Sequence, residues 1–173
     1  RSIIFPMTKI IIVFNIFMII GSCAKNKVLD SYIPTNVGTD STLDIITWNI
    51  ENFPKNNFTI DYLVEIIDSI DVDIIALQEI GNEEDFVNLV HKLDGWEGNK
   101  INNGHGLAYL YKSELIINNI DIIEELNDYN LSRTPYMLEL NWKEQILYII
   151  NNHYKCCGNN IIENDHNDEE FRR

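Results

Sequence analysis

Apolar residues recur along this chain with two different periods, and the switch between them outlines its elements. Leu43 to Ile50 is dense in apolar side chains and predicts a strand buried on both faces. Asn52 to Asn57, containing Pro54, interrupts it as a loop. Leu63, Ile66, Ile67 and Ile70 then fall at helical spacing, with Thr59 as candidate N-cap. Asp73 to Ile80 reads as a second strand. Phe86, Val87, Val90 and Leu93 mark a second amphipathic helix beginning after Asn82. Asp94 to His105 is rich in Gly and Asn and predicts a loop. From Gly106 onward the period is that of strands alone: Leu107–Lys112, Leu115–Ile123, Tyr136–Leu140 and Gln145–Asn152, the last two joined by a hairpin turn over Asn141–Glu144. Tyr109 and Tyr111 alternate with apolar neighbours, which predicts packing in the core or on a sheet face. Asn159 to Arg173 is polar and charged, with a helix start at Asp168. Strands interleaved with helices, then strands alone, predict an α+β domain.

Residues 1–42 follow another pattern. Ile10 to Ile20 is almost wholly apolar, with Lys9 before it and Gly21-Ser22-Cys23 after it. A basic residue, a short apolar run and a small-residue cleavage point predict a signal peptide, with Met7 as the translation start. Ile20-Gly21-Ser22-Cys23 is similar to a bacterial lipobox, which makes Cys23 the expected lipidation site. An uncleaved anchor is the alternative, but the run is shorter than the roughly 20 residues of a spanning helix, and Asn15 interrupts it. The polar stretch 24–42, with Pro34 and Gly38, reads as a tether. The expected organisation is a signal peptide with lipobox over 1–23, a tether over 24–42 and a domain over 43–173. That places the protein in a bacterial cell envelope, lipid-anchored and extracytoplasmic, with the membrane as its partner and no protein partner implied.

Composition narrows the chemistry. An apolar fraction of 45% in 173 residues is enough for one core. With 13 basic against 27 acidic residues the formal net charge is −14, which opposes an electrostatic clamp on nucleic acid. A phosphate-bearing substrate would need a bound cation to offset that repulsion. After Cys23 the remaining cysteines are the adjacent Cys156 and Cys157. Neighbouring cysteines pair only with strain, and these lack the spaced partners of a zinc site, so they read as packed or free thiols.

Three segments carry the candidate chemistry: Ile46-Thr47-Trp48-Asn49, Ala76-Leu77-Gln78-Glu79 and Asn151-Asn152-His153. Each closes an apolar run and leaves a metal-capable or proton-transferring side chain where a strand ends. Asn49 and Glu79 offer the oxygen donors that a hard cation such as Mg²⁺ prefers, and Mg²⁺ needs few of them because it keeps several waters. His153 can exchange a proton near neutral pH or donate to a phosphate oxygen. Arg133, in Ser132-Arg133-Thr134-Pro135, can hold phosphate in a bidentate fork. Taken singly these are ordinary turn, surface or backbone-satisfied residues. Their order, with an amphipathic helix between the first two segments, is far more specific. His91, His105 and His166 carry no assignment.

In this order the segments resemble the N-terminal part of the endonuclease/exonuclease/phosphatase superfamily, the DNase I-like group. The resemblance implies a four-layer α/β/β/α sandwich, of which the first half to two-thirds is present. It also implies Mg²⁺-dependent hydrolysis of a phosphoester by in-line attack of water, with Mn²⁺ as an alternative cation. Asn49 and Glu79 would then hold the metal, His153 would be catalytic and Arg133 would contact the substrate phosphate. The superfamily acts on DNA, RNA, phosphoinositides, sphingomyelin and small phosphomonoesters, so nucleic acid is one candidate substrate among several. Complete members continue to a strand ending in Asp-x-Asn and to a Ser-Asp-His segment. Neither is matched here, and Asn164-Asp165-His166-Asn167 is only a superficial lookalike. The expectation is a fragment of a longer enzyme, inactive as it stands, with an apolar sheet face and unpaired edges exposed. The alternative is a truncated, catalytically inactive or binding-only cell-envelope lipoprotein.

Overall fold

A computed structural model describes residues 37–101, 106–129, 134–154 and 161. Their elements run in the order β1 (Ile45–Phe53), α1 (Thr59–Ile70), β2 (Ile74–Ile80), α2 (Glu83–Lys92), β3 (Trp96–Lys100), β4 (Ala108–Lys112), β5 (Ile116–Ile122), a 3-10 turn over Glu124–Tyr129, β6 (Tyr136–Trp142) and β7 (Gln145–Asn151). They build two sheets, one ordered β1-β2-β4-β3 and the other β5-β6-β7. β1 and β2 are parallel with α1 as their crossover, and every other pairing is antiparallel.

Burial periodicity explains the layers. α1 turns Ile60, Leu63 and Ile67 inward, and α2 does the same with Phe86 and Leu89. Both stripes cover Ile75, Leu77, Ile80, Ala108 and Leu110 on one face of the first sheet. The opposite face, with Ile74, Ala76, Tyr109 and Tyr111, packs on Tyr136, Leu138 and Leu140 of the second sheet. The order is therefore helices, sheet, sheet, within an α+β sandwich of the DNase I-like kind. β2 is covered on both sides, which is why its sequence is an almost unbroken apolar run. Each fully buried Leu or Ile along it contributes roughly 1.5–3 kcal/mol of transfer free energy. On the far side of the second sheet Ile116, Ile146, Tyr148 and Ile150 are 50% to 65% exposed, the apolar face anticipated above.

Several expectations change. β1 is an edge strand and not buried on both faces: Ile46, Trp48 and Ile50 pack toward the helices, while Thr47 and Asn49 are exposed. The α1 N-cap is Phe58 without a side-chain cap bond, and Thr59 is the first helical residue. The Thr59 hydroxyl instead accepts from Asn56 N–H at 3.0 Å. On α2, Asn82 is the cap, accepting from the N–H groups of Glu84 and Asp85, but Val87 is exposed and Leu89 takes its place in the core. The Gly- and Asn-rich stretch contains strand β3, paired along its length with β4. Gly98 there serves close packing, since a Cβ would meet Val90 Cγ2 at 2.6 Å and Phe86 Cζ at 2.9 Å. The 3-10 turn was not signalled by the pattern. The β6–β7 hairpin forms as expected, with Lys143 and Glu144 both at positive φ, the signature of a two-residue type I′ turn.

Two tyrosines fasten the sheets together. The Tyr109 hydroxyl lies 2.8 Å from the carbonyl oxygens of both Tyr136 and Ile149. The Tyr136 hydroxyl donates to Asn99 Oδ1. Burial pushes both phenols up, that of Tyr136 to about 12. At the far end from the candidate site, Val37 and Gly38 donate backbone N–H groups to Ile70 O at 3.3 and 3.2 Å, placing this segment against the end of α1.

Candidate active site

Parallel pairing of β1 with β2, in the register Asn49↔Gln78, ends both strands at the same edge of the first sheet. What happens there depends on backbone conformation. Strict alternation along β2 would send Glu79 to the helix-side core with Ile75 and Leu77. Instead Glu79 adopts φ 66°, and Ile80 takes the core position. A non-glycine residue in the left-handed region costs on the order of 1 kcal/mol and is characteristic of functional positions. β1 bends in sympathy: Glu51 and Asn52 are also at positive φ, and the register with β2 shifts between Asn49 and Phe53.

These bends direct donors at one carboxylate. Asn49 Nδ2 donates to Glu79 Oε1 at 3.0 Å, and Asn52 N–H donates to Oε2 at 3.1 Å. His153, just beyond β7 in the second sheet, brings Nε2 to 3.5 Å from Glu79 Oε1, an ion pair when the imidazole carries its second proton. The His153 and Glu79 side chains are 15% and 28% exposed, so the pair is shielded yet reachable by a small ligand. Three residues separated widely in sequence thus meet at one point. Arg133 and Cys23 lie outside the described residues, as do His105, Cys156, Cys157, His166 and the Asn164–Asn167 segment.

Glu79 and Asn49 fit a hard divalent cation. One is a carboxylate and the other an amide; the amide presents Nδ2 to Glu79 and Oδ1 to Glu51 N–H at 2.9 Å, so sharing a cation with the carboxylate requires the amide to turn its oxygen over. Among the described residues no group of three or more His, Cys, Asp and Glu is placed to hold a metal ion. A cation here would keep most of its waters, as Mg²⁺ does.

Two residues of the site were not recognised as such in the sequence. Gln78 and Asn151 are buried, 6% and 2% exposed, and bonded to each other between the sheets. Their signal is a polar amide at an inward position of a strand whose other inward residues are apolar.

The arrangement is a carboxylate gripped by donors beside an imidazole, at one end of stacked sheets in a DNase I-like sandwich. The chain belongs to the Endonuclease/Exonuclease/phosphatase family, whose profile matches residues 46–142 and so includes Asn49 and Glu79. Among solved structures it is similar to D. rerio TDP2 complexed with single-strand DNA product, at 19% identity and a TM-score of 0.55, over 70% of this chain and 49% of that one. Truncated Caenorhabditis elegans TDP2 is similar at 18% identity and a TM-score of 0.55, over 66% and 47%. Humanized D. rerio TDP2 follows at 19% and 0.52, over 62% and 45%. The chain spans about half the length of these structures. No curated protein matches it.

Proposed function

We propose that the full-length protein is a phosphodiesterase that depends on a divalent cation, Mg²⁺ in the first instance, and cleaves its substrate by in-line attack of water. The observation that carries this reading is the meeting of Asn49, Glu79 and His153 at one end of the sandwich. Glu79 and Asn49 would hold the cation, which when bound offsets the phosphate's negative charge and polarises its oxygens. The chain's own groups do the rest. Asn52 N–H fixes the Glu79 carboxylate. Glu79 in turn orients the His153 imidazole, which would donate a hydrogen bond to a phosphate oxygen as charge develops there. Arg133 is assigned to the same phosphate as a bidentate anchor.

Single-stranded DNA, the bound product in the D. rerio structure, is the first natural substrate to try. The net charge of −14 predicts weak binding that salt modulates little, because few phosphates can be neutralised by side chains. The amino-terminal segment adds an address: lipidation at Cys23 and a tether over 24–42 would hold the domain outside the cytoplasm on a membrane. Labelling with radioactive palmitate should be lost in Cys23→Ser, and retention of label would remove this part of the proposal.

Activity is tested on bis(p-nitrophenyl) phosphate and on single-stranded DNA, with Mg²⁺ and after chelation. The reading requires hydrolysis that chelation abolishes and that falls about 10²-fold or more in Glu79→Gln and His153→Ala. Wild-type rates surviving both substitutions would refute it.

A further inference from the structure

Gln78 and Asn151 form a strut between the two sheets. Asn151 Oδ1 accepts from Gln78 Nε2 at 2.7 Å, and Asn151 Nδ2 donates to Leu77 O at 2.8 Å and Ala108 O at 3.1 Å. Gln78 Nε2 also reaches Thr47 Oγ1 at 3.0 Å and Ala76 O at 3.1 Å. Thr47 stands two residues before Asn49, Leu77 two before Glu79, and Asn151 two before His153. The strut therefore ties β1, β2, β4 and β7 together close behind Asn49, Glu79 and His153.

No backbone ladder joins the two sheets among the described residues; they meet through side chains. Apolar packing between sheets sets their spacing but leaves sliding along the strands cheap, because it is non-directional. Hydrogen bonds from a buried amide are directional, and breaking them in the interior strands donors and acceptors. A slip of about 1 Å in such positioning is enough to cost on the order of 10²-fold in rate. Two apolar residues would fill the same space, so volume alone does not account for the amides.

We propose that Gln78 and Asn151 are positioning residues that fix the register of β7 against β2 and so hold His153 within reach of Glu79. This rests on the reading of Glu79 and His153 as the hydrolytic pair, and it adds what keeps two separate sheets aligned at that point. The test compares full-length wild type with Asn151→Ala, the double replacement Gln78→Met/Asn151→Leu, and Tyr109→Phe. Tyr109→Phe removes a different bond between the sheets. One readout is kcat and KM on bis(p-nitrophenyl) phosphate with Mg²⁺. The second, independent of turnover, is the nuclear Overhauser contact between the His153 imidazole and the Glu79 side chain. In the double replacement, which keeps the volume should Asn151→Ala fail to fold, kcat should drop at least tenfold with KM within twofold. The His153–Glu79 contact should be lost while near-UV circular dichroism stays native. Tyr109→Phe should lose stability but keep the contact. A folded double replacement that retains the contact, or retains kcat within twofold, overturns the proposal. Were wild type inactive on this substrate, the functional reading would be in question and the Overhauser contact alone would decide the positioning role.

Discussion

Replacing Gly106 by Ala is the sharpest probe of how the Glu79 bend is held. Gly106 has φ +64°, and a Cβ built there would lie 2.8 Å from Ile80 N and 3.1 Å from both Cα and C of Glu79. Its carbonyl also accepts from Ile80 N–H at 2.9 Å, so glycine and bend are fastened back to back. Two costs then add. An alanine in the left-handed region is unfavourable by about 1–2 kcal/mol. Overpacking against backbone, which cannot rotate away as a side chain would, costs about 1–3 kcal/mol. The sum is about 2–5 kcal/mol, a large part of the stability of a domain this size. Gly95 supplies the control: it has φ +74°, but a Cβ there would meet nothing within 4 Å. Gly95→Ala should therefore show only the conformational cost of about 1–2 kcal/mol. Urea denaturation of the two variants, with equal m-values, gives the comparison directly. Gly106→Ala should be the less stable by at least about 1 kcal/mol, and it should lose Mg²⁺-dependent hydrolysis because the Glu79 backbone has to move. Equal midpoints for the two variants would refute the reasoning.

Other predictions follow from the same contacts. The Tyr136 phenol is raised to about 12 by burial, with Asp121 adding to the shift, against an unfolded value of 10.0. Its neutral form therefore stabilises the fold fully below pH 10, and that contribution is lost as pH rises toward 12. Thermal midpoints should fall more steeply over this window for wild type than for Tyr136→Phe, and parallel curves would count against it. Asn82→Ala removes the acceptor for two N–H groups of α2 and should cost about 1 kcal/mol, with Asn82→Asp close to wild type by denaturation. Glu79→Gln keeps the volume but removes the charge, so Mg²⁺ affinity by calorimetry should fall by more than the roughly 10- to 100-fold lost when only a ligand's hydrogen-bonding partner is changed. An unchanged affinity would move the cation away from Glu79.

Much of this was legible in the sequence because long apolar stripes report on layers. The α1 stripe, the buried run of β2 and the alternating β6–β7 hairpin were recognisable from period alone, whereas β1 runs on to Phe53, past Asn49 and into the expected loop, and β7 stops at Asn151, short of His153. What escaped depends on tertiary context. β3 looked like a loop because Gly98 suits close contact with Phe86 and Val90, a requirement set by a neighbouring helix. Val87 and Leu89 are both apolar on α2, and only the direction of docking decides which is buried. The turn of Glu79 into the left-handed region leaves no local mark, since its reason lies in Gly106 and Asn52. Gln78 and Asn151 were within recognised segments, yet their pairing joins positions 73 apart that only the stacking of two sheets brings together.

The most direct measurement of the central claim is the position of a bound cation, because it needs no knowledge of the natural substrate. Crystals of the full-length protein grown with Mn²⁺ and measured at the manganese edge should show an anomalous peak within coordination distance of Glu79 and Asn49. A peak elsewhere in the fold, or none at these residues at millimolar Mn²⁺, would contradict the account.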